Sequence, residues 1–214
     1  TLARWMGKHF KEKTHLWKLG TGTTMDIYEG QGNLPIRNFR GGRFLEAGKI
    51  SAQVMFNKGY IKQMEGCYAC PVKCKKKVEM TTPWTLDPSY GGPEYETLAA
   101  LGSNCGIDNI EAIMKAHEIC GKYGVDTMST GVAISFAMEC FEQGIITEED
   151  TGGIRLEFGN ADAMVAMTEQ IALRKGFGDI LSQGVKRAAA QIGKGSEEFA
   201  MHVKGEEIPM HEPR

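Results

Sequence analysis

Residues 129–144 read S-T-G-V-A-I-S-F-A-M-E-C-F-E-Q-G, a stretch that is apolar nearly all round when wound as a helix. A helix with no polar face does not sit on a surface; it belongs inside a large core, covered by other elements. The chain supplies the covering elements in the same period. In residues 109–124, Ile110, Ile113, Met114, His117 and Cys120 recur at spacings of three and four, with Gly121 or Gly124 at the stop. Asn160 precedes a helix on Met164, Met167 and Ile171 that Gly176 ends. Residues 178–193 then place Ile180, Leu181, Val185, Ala188 and Ile192 on one face, with Gly193 at the C-terminal cap position. Thr147 or Asp150 is a candidate cap for a short turn between the helices. No run alternates as a half-buried strand does, so the sequence predicts an all-α, multihelical fold.

The rest of the chain is less periodic. Residues 1–45 are rich in glycine, including L-G-T-G-T-T at 19–24, and predict loop and short helix. The G-T-G there is no dinucleotide fingerprint, because the third glycine and the preceding strand are missing. Ile50, Val54 and Phe56 suit a helix that Gly59 closes. The expected organisation is one helical domain over residues 1–214: a lead-in (1–65), a Cys-rich loop between helices followed by a turn-rich bridge (66–93), and a helical core (94–214).

Composition narrows the function classes. A chain of 214 residues, 42% of them hydrophobic, can bury a sizeable core. A net charge of −2 and a pI near 6.2 lack the basic excess of a binder of nucleic acid or anionic membrane, and neither partner is expected. No apolar run approaches the ~18 residues that span a bilayer, and the first residues carry no signal-peptide pattern, so a cytoplasmic location is expected. The sequence begins with Thr and stops at E-P-R after an apolar stretch, which reads as a segment of something longer.

Six cysteines are distributed unevenly. Cys105, Cys120 and Cys140 stand singly in helical segments and read as small buried apolar groups. Cys67, Cys70 and Cys74 sit within eight residues, G-C-Y-A-C-P-V-K-C. Disulfides are awkward at such short spacings. Converging thiols suit either zinc or an iron–sulfur cluster whose fourth ligand comes from far away. Zinc ribbons normally bring a second C-x-x-C, which is missing here, and the ligand pattern favours iron and sulfur. The following Lys75, Lys76 and Lys77 read as a solvated charge run, or as cationic charge offsetting an anionic thiolate-bound centre. His117, on an apolar helix face, reads as a satisfied core histidine.

Taken together, G-C-Y-A-C-P-V-K-C, Y-G-G-P-E-Y-E-T-L-A-A-L-G-S-N-C-G-I-D-N, Y-G-V-D-T-M-S-T-G and H-V-K-G-E-E-I-P-M-H-E-P-R resemble the helical part of the aldehyde ferredoxin oxidoreductase family of tungsten enzymes, and L-P-I-R-N-F fits as well. The resemblance implies an enzyme that holds a tungsten (or molybdenum) bis-pterin beside a [4Fe-4S] cluster, oxidises aldehydes to carboxylic acids with water as oxygen source, and passes electrons to ferredoxin. It implies that Cys67, Cys70 and Cys74 bind the cluster, with the fourth cysteine and the family's catalytic histidine beyond Arg214. It implies that G-K-Y-G-V-D at 121–126 matches a pterin-contacting motif through Gly124 and Asp126, although Gly121 stands where the motif has Asp. The other pieces of such an enzyme, an N-terminal pterin-binding domain and the remaining C-terminal part, would be partners in the same chain. The small aldehyde would be the substrate.

An acidic residue near the metal in the family matches Glu94 or Glu96. Oxidising an aldehyde with water releases protons, and a carboxylate near the metal can accept one. Two residues apart, both would face the same way in extended chain. Alternatively they cap the helix that follows. His202 and His211 flank the last block and are candidates to line a substrate channel. The alternative reading of the whole chain is a zinc-stabilised or cofactor-free helical binding domain without redox activity.

Overall fold

A computed structural model describes residues 1–213, the side chains of residues 11–13 excepted. The lead-in is more helical than its glycine content suggests: α1 (Leu2–Lys13), α2 (Leu16–Leu19) and α3 (Met25–Gly30) precede α4 (Ala52–Asn57). Gly59, at φ +71°, turns the chain after α4. Two short antiparallel strands follow, β1 (Ile61–Glu65) and β2 (Lys75–Val78), with Glu65 opposite Lys75. The Cys-rich loop is therefore the loop of a β-hairpin, not a connection between helices. The strands I-K-Q-M-E and K-K-K-V carry three apolar residues, Ile61, Met64 and Val78, at no regular alternation, and so leave no period-two signal in the sequence.

The helical core comprises α5 (Tyr95–Leu101), α6 (Ile110–Tyr123), α7 (Thr127–Glu142), α8 (Ala161–Leu173), α9 (Phe177–Leu181) and α10 (Val185–Ile192), followed by a small hairpin of β3 (His202–Val203) and β4 (Glu206–Glu207). Every residue of α7 from Thr130 to Cys140 is buried, as its sequence requires. It packs on α5, α8 and α10, and α6 packs on α8. At the α5–α7 contact a Cβ on Gly131 would lie 2.5 Å from the carbonyl carbon of Ala100, so only glycine allows this approach. Thr97 Oγ1 and Thr127 Oγ1 meet at 2.8 Å one turn earlier, which shows that the two helices run in the same direction and begin together.

The caps are local. Asn109, Asp126 and Asn160 accept hydrogen bonds from Ala112 N, Ser129 N and Ala163 N at the starts of α6, α7 and α8. Gly124, left-handed at φ +69°, ends α6. Thr147 N donates to Asp150 Oδ2 (2.7 Å), closing the expected short turn. Two expectations differ. Arg174, at φ +52°, ends α8 rather than Gly176, which instead opens α9. The single helix expected over 178–193 is two, broken at Gly184 (φ +83°), where Glu207 Oε1 accepts from Val185 N at 2.8 Å. Leu181, Val185 and Ala188 are still buried together, so the apolar face survives the break that hid from periodicity. Among the described residues no helix is long and apolar enough to cross a membrane.

Candidate functional site

The loop between β1 and β2 holds Cys67, exposed, and Cys70 and Cys74, both half-buried. Cys70 N donates to Cys67 O at 3.0 Å, closing a turn. Ala69 and Lys73 adopt left-handed backbone (φ +55° and +54°) on either side of Pro71 and Val72. The backbone amides of Lys73 and Val72 hold the Cys70 thiol below its ordinary value, against desolvation. Amide donors of this kind stabilise thiolate and metal-bound sulfur. Among the described residues no three His, Cys, Asp or Glu side chains converge as ligands of one metal ion. A cubane binds its thiolates at separate irons and does not require such convergence.

Beneath the loop the three lysines separate. Lys75 is exposed, Lys77 pairs with Glu65 at 2.8 Å, and Lys76 is fully buried. The Lys76 Nζ donates to Glu94 Oε1 (2.6 Å) and to Pro93 O (2.8 Å). Burial pulls the Lys76 ammonium below its ordinary pKa, and the Glu94 carboxylate opposes that. Glu94 Oε2 accepts from Thr21 N (2.8 Å) and Thr21 Oγ1 (2.5 Å), while Thr21 Oγ1 accepts from Tyr95 N at 2.9 Å. Thr21 thus caps α5, although Glu94 occupies the cap position. Gly20, at φ +72°, lets this junction close: a Cβ there would lie 2.6 Å from Cys74 O and 2.7 Å from Lys76 Nζ.

Glu96 has a different environment. Because α5 begins at Tyr95, the two glutamates do not face the same way as they would in extended chain. Glu96 Oε2 accepts from Met210 N at 2.8 Å, its Oε1 lies 3.4 Å from His211 Nε2, and its side chain is 42% exposed. His211 Nδ1 is 3.2 Å from Asn33 Nδ2. Glu94 receives three donors at the junction, and Glu96 is the more exposed of the two.

Gly124 and Asp126 lie at the adjoining start of α7. Asp126 is exposed and uses Oδ2 for Ser129 N (2.7 Å), and the Thr97–Thr127 contact sets this turn beside the start of α5. Ser129 also borders an open cleft of about 460 Å³ flanked by Lys186, Arg187 and Lys204. The remaining histidines part company. His202 Nδ1 accepts from Gly205 N (3.2 Å) inside the β3–β4 turn. His117 Nε2 donates to Tyr90 O (3.2 Å), but its buried Nδ1 has no partner, so this histidine is only half satisfied. Cys105, Cys120 and Cys140 are buried and raised by burial, Cys120 to about 11 and Cys140 to about 12, which makes them inert core thiols.

Thr21 and Asn33 had no local signal. Thr21 meets a residue 73 positions away and Asn33 one 178 positions away, and only the fold brings them in.

The family described as "Aldehyde ferredoxin oxidoreductase, domains 2 & 3" matches residues 1–214. The chain is 37% identical over 198 residues to the tungsten-containing aldehyde ferredoxin oxidoreductase of Thermococcus kodakarensis, covering 92% of this chain and 32% of that protein. It is 31% identical over 199 residues to an aliphatic sulfonate oxidoreductase WOR-like subunit of Pyrococcus furiosus, covering 91% and 31%. The chain thus spans about a third of the length of the curated relatives it matches. Among solved structures, the active-site complex BamBC of benzoyl coenzyme A reductase, bound to 1,5-dienoyl-CoA, shares the fold, with a TM-score of 0.72 at 22% identity over 96% of this chain and 32% of that one. A family match over the whole chain, with a relative 37% identical across nine-tenths of it, shows that this chain belongs to the aldehyde ferredoxin oxidoreductase family.

Proposed function

We propose that the chain is the helical part of a tungsten (or molybdenum) bis-pterin enzyme that oxidises an aldehyde and water to a carboxylic acid, two protons and two electrons. The N-terminal pterin-binding domain and the remaining C-terminal part of the same protein would complete it, and ferredoxin would take the electrons. When bound, the pterin-held metal and a [4Fe-4S] cluster supply the redox chemistry and the one-electron relay.

The observation that carries this reading is the β1–β2 loop, which gathers Cys67, Cys70 and Cys74, with the backbone amides of Lys73 and Val72 lowering the Cys70 thiol. Such donors fit a cluster thiolate and favour its anionic form. Lys76, fixed behind Cys74, adds a buried cation to the same wall. At the metal side, Glu96 rather than Glu94 would accept a proton, because Glu94 already receives three donors. Asp126 keeps Oδ1 for a pterin N–H while Oδ2 caps α7, and Gly124 leaves the approach open, with no atom within 4 Å of where its Cβ would sit. The lysines and arginine beside Ser129 suit the anionic end of a pterin.

The test is electron paramagnetic resonance of the reduced full-length protein. Wild type should show a cluster signal that Cys70→Ala abolishes; an undiminished signal in the variant would remove these cysteines from the cluster.

A further inference from the structure

We infer that the buried ammonium of Lys76 raises the reduction potential of the cluster held by the β1–β2 loop, so that the cluster takes up an electron more readily; this rests on the cluster-binding role proposed for Cys67, Cys70 and Cys74.

The side chain is fixed by its surroundings. In β2, Lys76 and Val78 are buried while Lys75 is exposed. A Cβ on Gly92 would lie 2.9 Å from Lys76 Cγ, so bare backbone packs directly on the lysine stem. At the other end, a Cβ on Gly20 would meet Cys74 O, Lys76 Nζ and Glu94 Oε2 at 2.6, 2.7 and 2.8 Å, which sets the ammonium beside the backbone of the last cysteine. Nζ donates to Glu94 Oε1 at 2.6 Å and to Pro93 O at 2.8 Å.

Hydrogen bonding assigns the charges. Thr21 Oγ1 accepts from Tyr95 N, and its own hydrogen goes to Glu94 Oε2, which also accepts from Thr21 N. With Oε1 accepting from Nζ, both oxygens of Glu94 are acceptors, so the pair is a carboxylate and an ammonium. The two ends are not equivalent. The carboxylate is 29% exposed and meets two Thr21 donors, whereas the ammonium is 0% exposed and keeps its field. Burial pulls the ammonium below its ordinary pKa, and Glu94 and then Cys74 oppose that. Charge on the Cys74 sulfur thus acts on Lys76, and Lys76 acts equally on it. His117 faces Lys76 from α6, but burial holds its imidazole below the ordinary value, so at pH 8 it adds no second charge.

Reduction by one electron adds one negative charge at the thiolate-bound centre. A buried cation favours that state, and salt screens it little. Lys75 is exposed and Lys77 is paired with Glu65 near the surface, so their fields are damped. One unit charge about 10 Å away at an effective dielectric of about 20 changes an equilibrium on the order of tenfold. For one electron, tenfold is about 59 mV.

The experiment is a redox titration of the full-length protein at pH 8, followed by the electron paramagnetic resonance of the reduced cluster. Lys76→Met should make reduction about tenfold harder, with a midpoint lower by about 59 mV. Lys76→Arg, which keeps the charge, and Lys75→Met, which removes an exposed one, should both stay near wild type. A role in packing alone would lower iron per chain without moving the midpoint of the clusters that remain. An unmoved midpoint in Lys76→Met, an equal fall in Lys75→Met, or a fall in Lys76→Arg as large as in Lys76→Met overturns the inference.

If Lys76→Met holds no cluster, Lys76→Gln carries the test, because it keeps an N–H donor and removes the charge. Cluster loss in both neutral variants, with Lys76→Arg still loaded, also overturns the inference and makes Lys76 an assembly residue. A wild type without a cluster signal sinks the cluster assignment itself, whereas a normal signal with an unmoved midpoint sinks only the role of Lys76.

Discussion

Lys76 Nζ lies 2.6 Å from Glu94 Oε1, and the two partners differ in access to water: the lysine side chain is 0% exposed and the glutamate 29%. Deleting one member of a buried pair leaves an uncompensated charge, which costs about 3–5 kcal/mol. The cost should be asymmetric. Glu94→Ala strands a fully buried ammonium and should approach the upper value, whereas Lys76→Met leaves a carboxylate that water and Thr21 still solvate. Urea denaturation of the two variants checks this; equal losses would mean that the pair is not the burial-limited contact described.

Gly20 is the point where the lead-in touches the Cys-rich hairpin. Its φ of +72° and the 2.6 Å approach of Cys74 O to a would-be Cβ both exclude a side chain. Gly20→Ala should cost about 2 kcal/mol or more from left-handed strain and displacement of β2. The same displacement moves Cys74, so iron per chain should fall as well. Denaturation midpoints and iron assays report the two effects, and unchanged midpoints would contradict the geometry.

Asp126 has two separable roles. As the cap of α7 it is replaceable by Asn, which caps about equally well, whereas Ala should cost about 1 kcal/mol. As a pterin contact it needs its charge. Asp126→Asn should therefore keep wild-type stability and lose pterin on purification, and Asp126→Ala should lose both. Full pterin content in the Asn variant would confine Asp126 to capping.

His117 predicts an acid sensitivity. Burial pushes its imidazole below the ordinary value, partly opposed by the hydrogen bond to Tyr90 O. The unfolded chain binds that proton at about pH 6.5 and the folded chain only lower down. The stability tied to neutral His117 is thus complete above about pH 6.5 and is lost as pH falls from there toward the folded pKa. His117→Gln should flatten the fall in melting temperature between pH 7.5 and 5; an identical slope would assign the acid loss to other groups.

How far the sequence could be read depended on the range of the interactions. Asn109, Asn160, Gly124 and the apolar run of α7 act within a few residues, and they mark the core helices correctly. The hairpin around Cys67, Cys70 and Cys74 is not legible because the apolar residues of its strands, Ile61, Met64 and Val78, show no alternation. The break at Gly184 was missed because both halves keep one apolar face, and the partner that decides it, Glu207, arrives from 22 residues further on. Lys76 looked like one of three solvated lysines. Its burial depends on Glu94 and Pro93, which periodicity cannot pair with it.

The sequence by itself determined the helical character of the core, the caps, the clustering of three cysteines and the resemblance that named the family, because each is written in neighbouring residues. Only the tertiary structure gave the two glutamates their different surroundings. It set Glu94 against Lys76 and Thr21 and Glu96 against Met210 and His211, because the groups that surround a carboxylate come from distant parts of the chain.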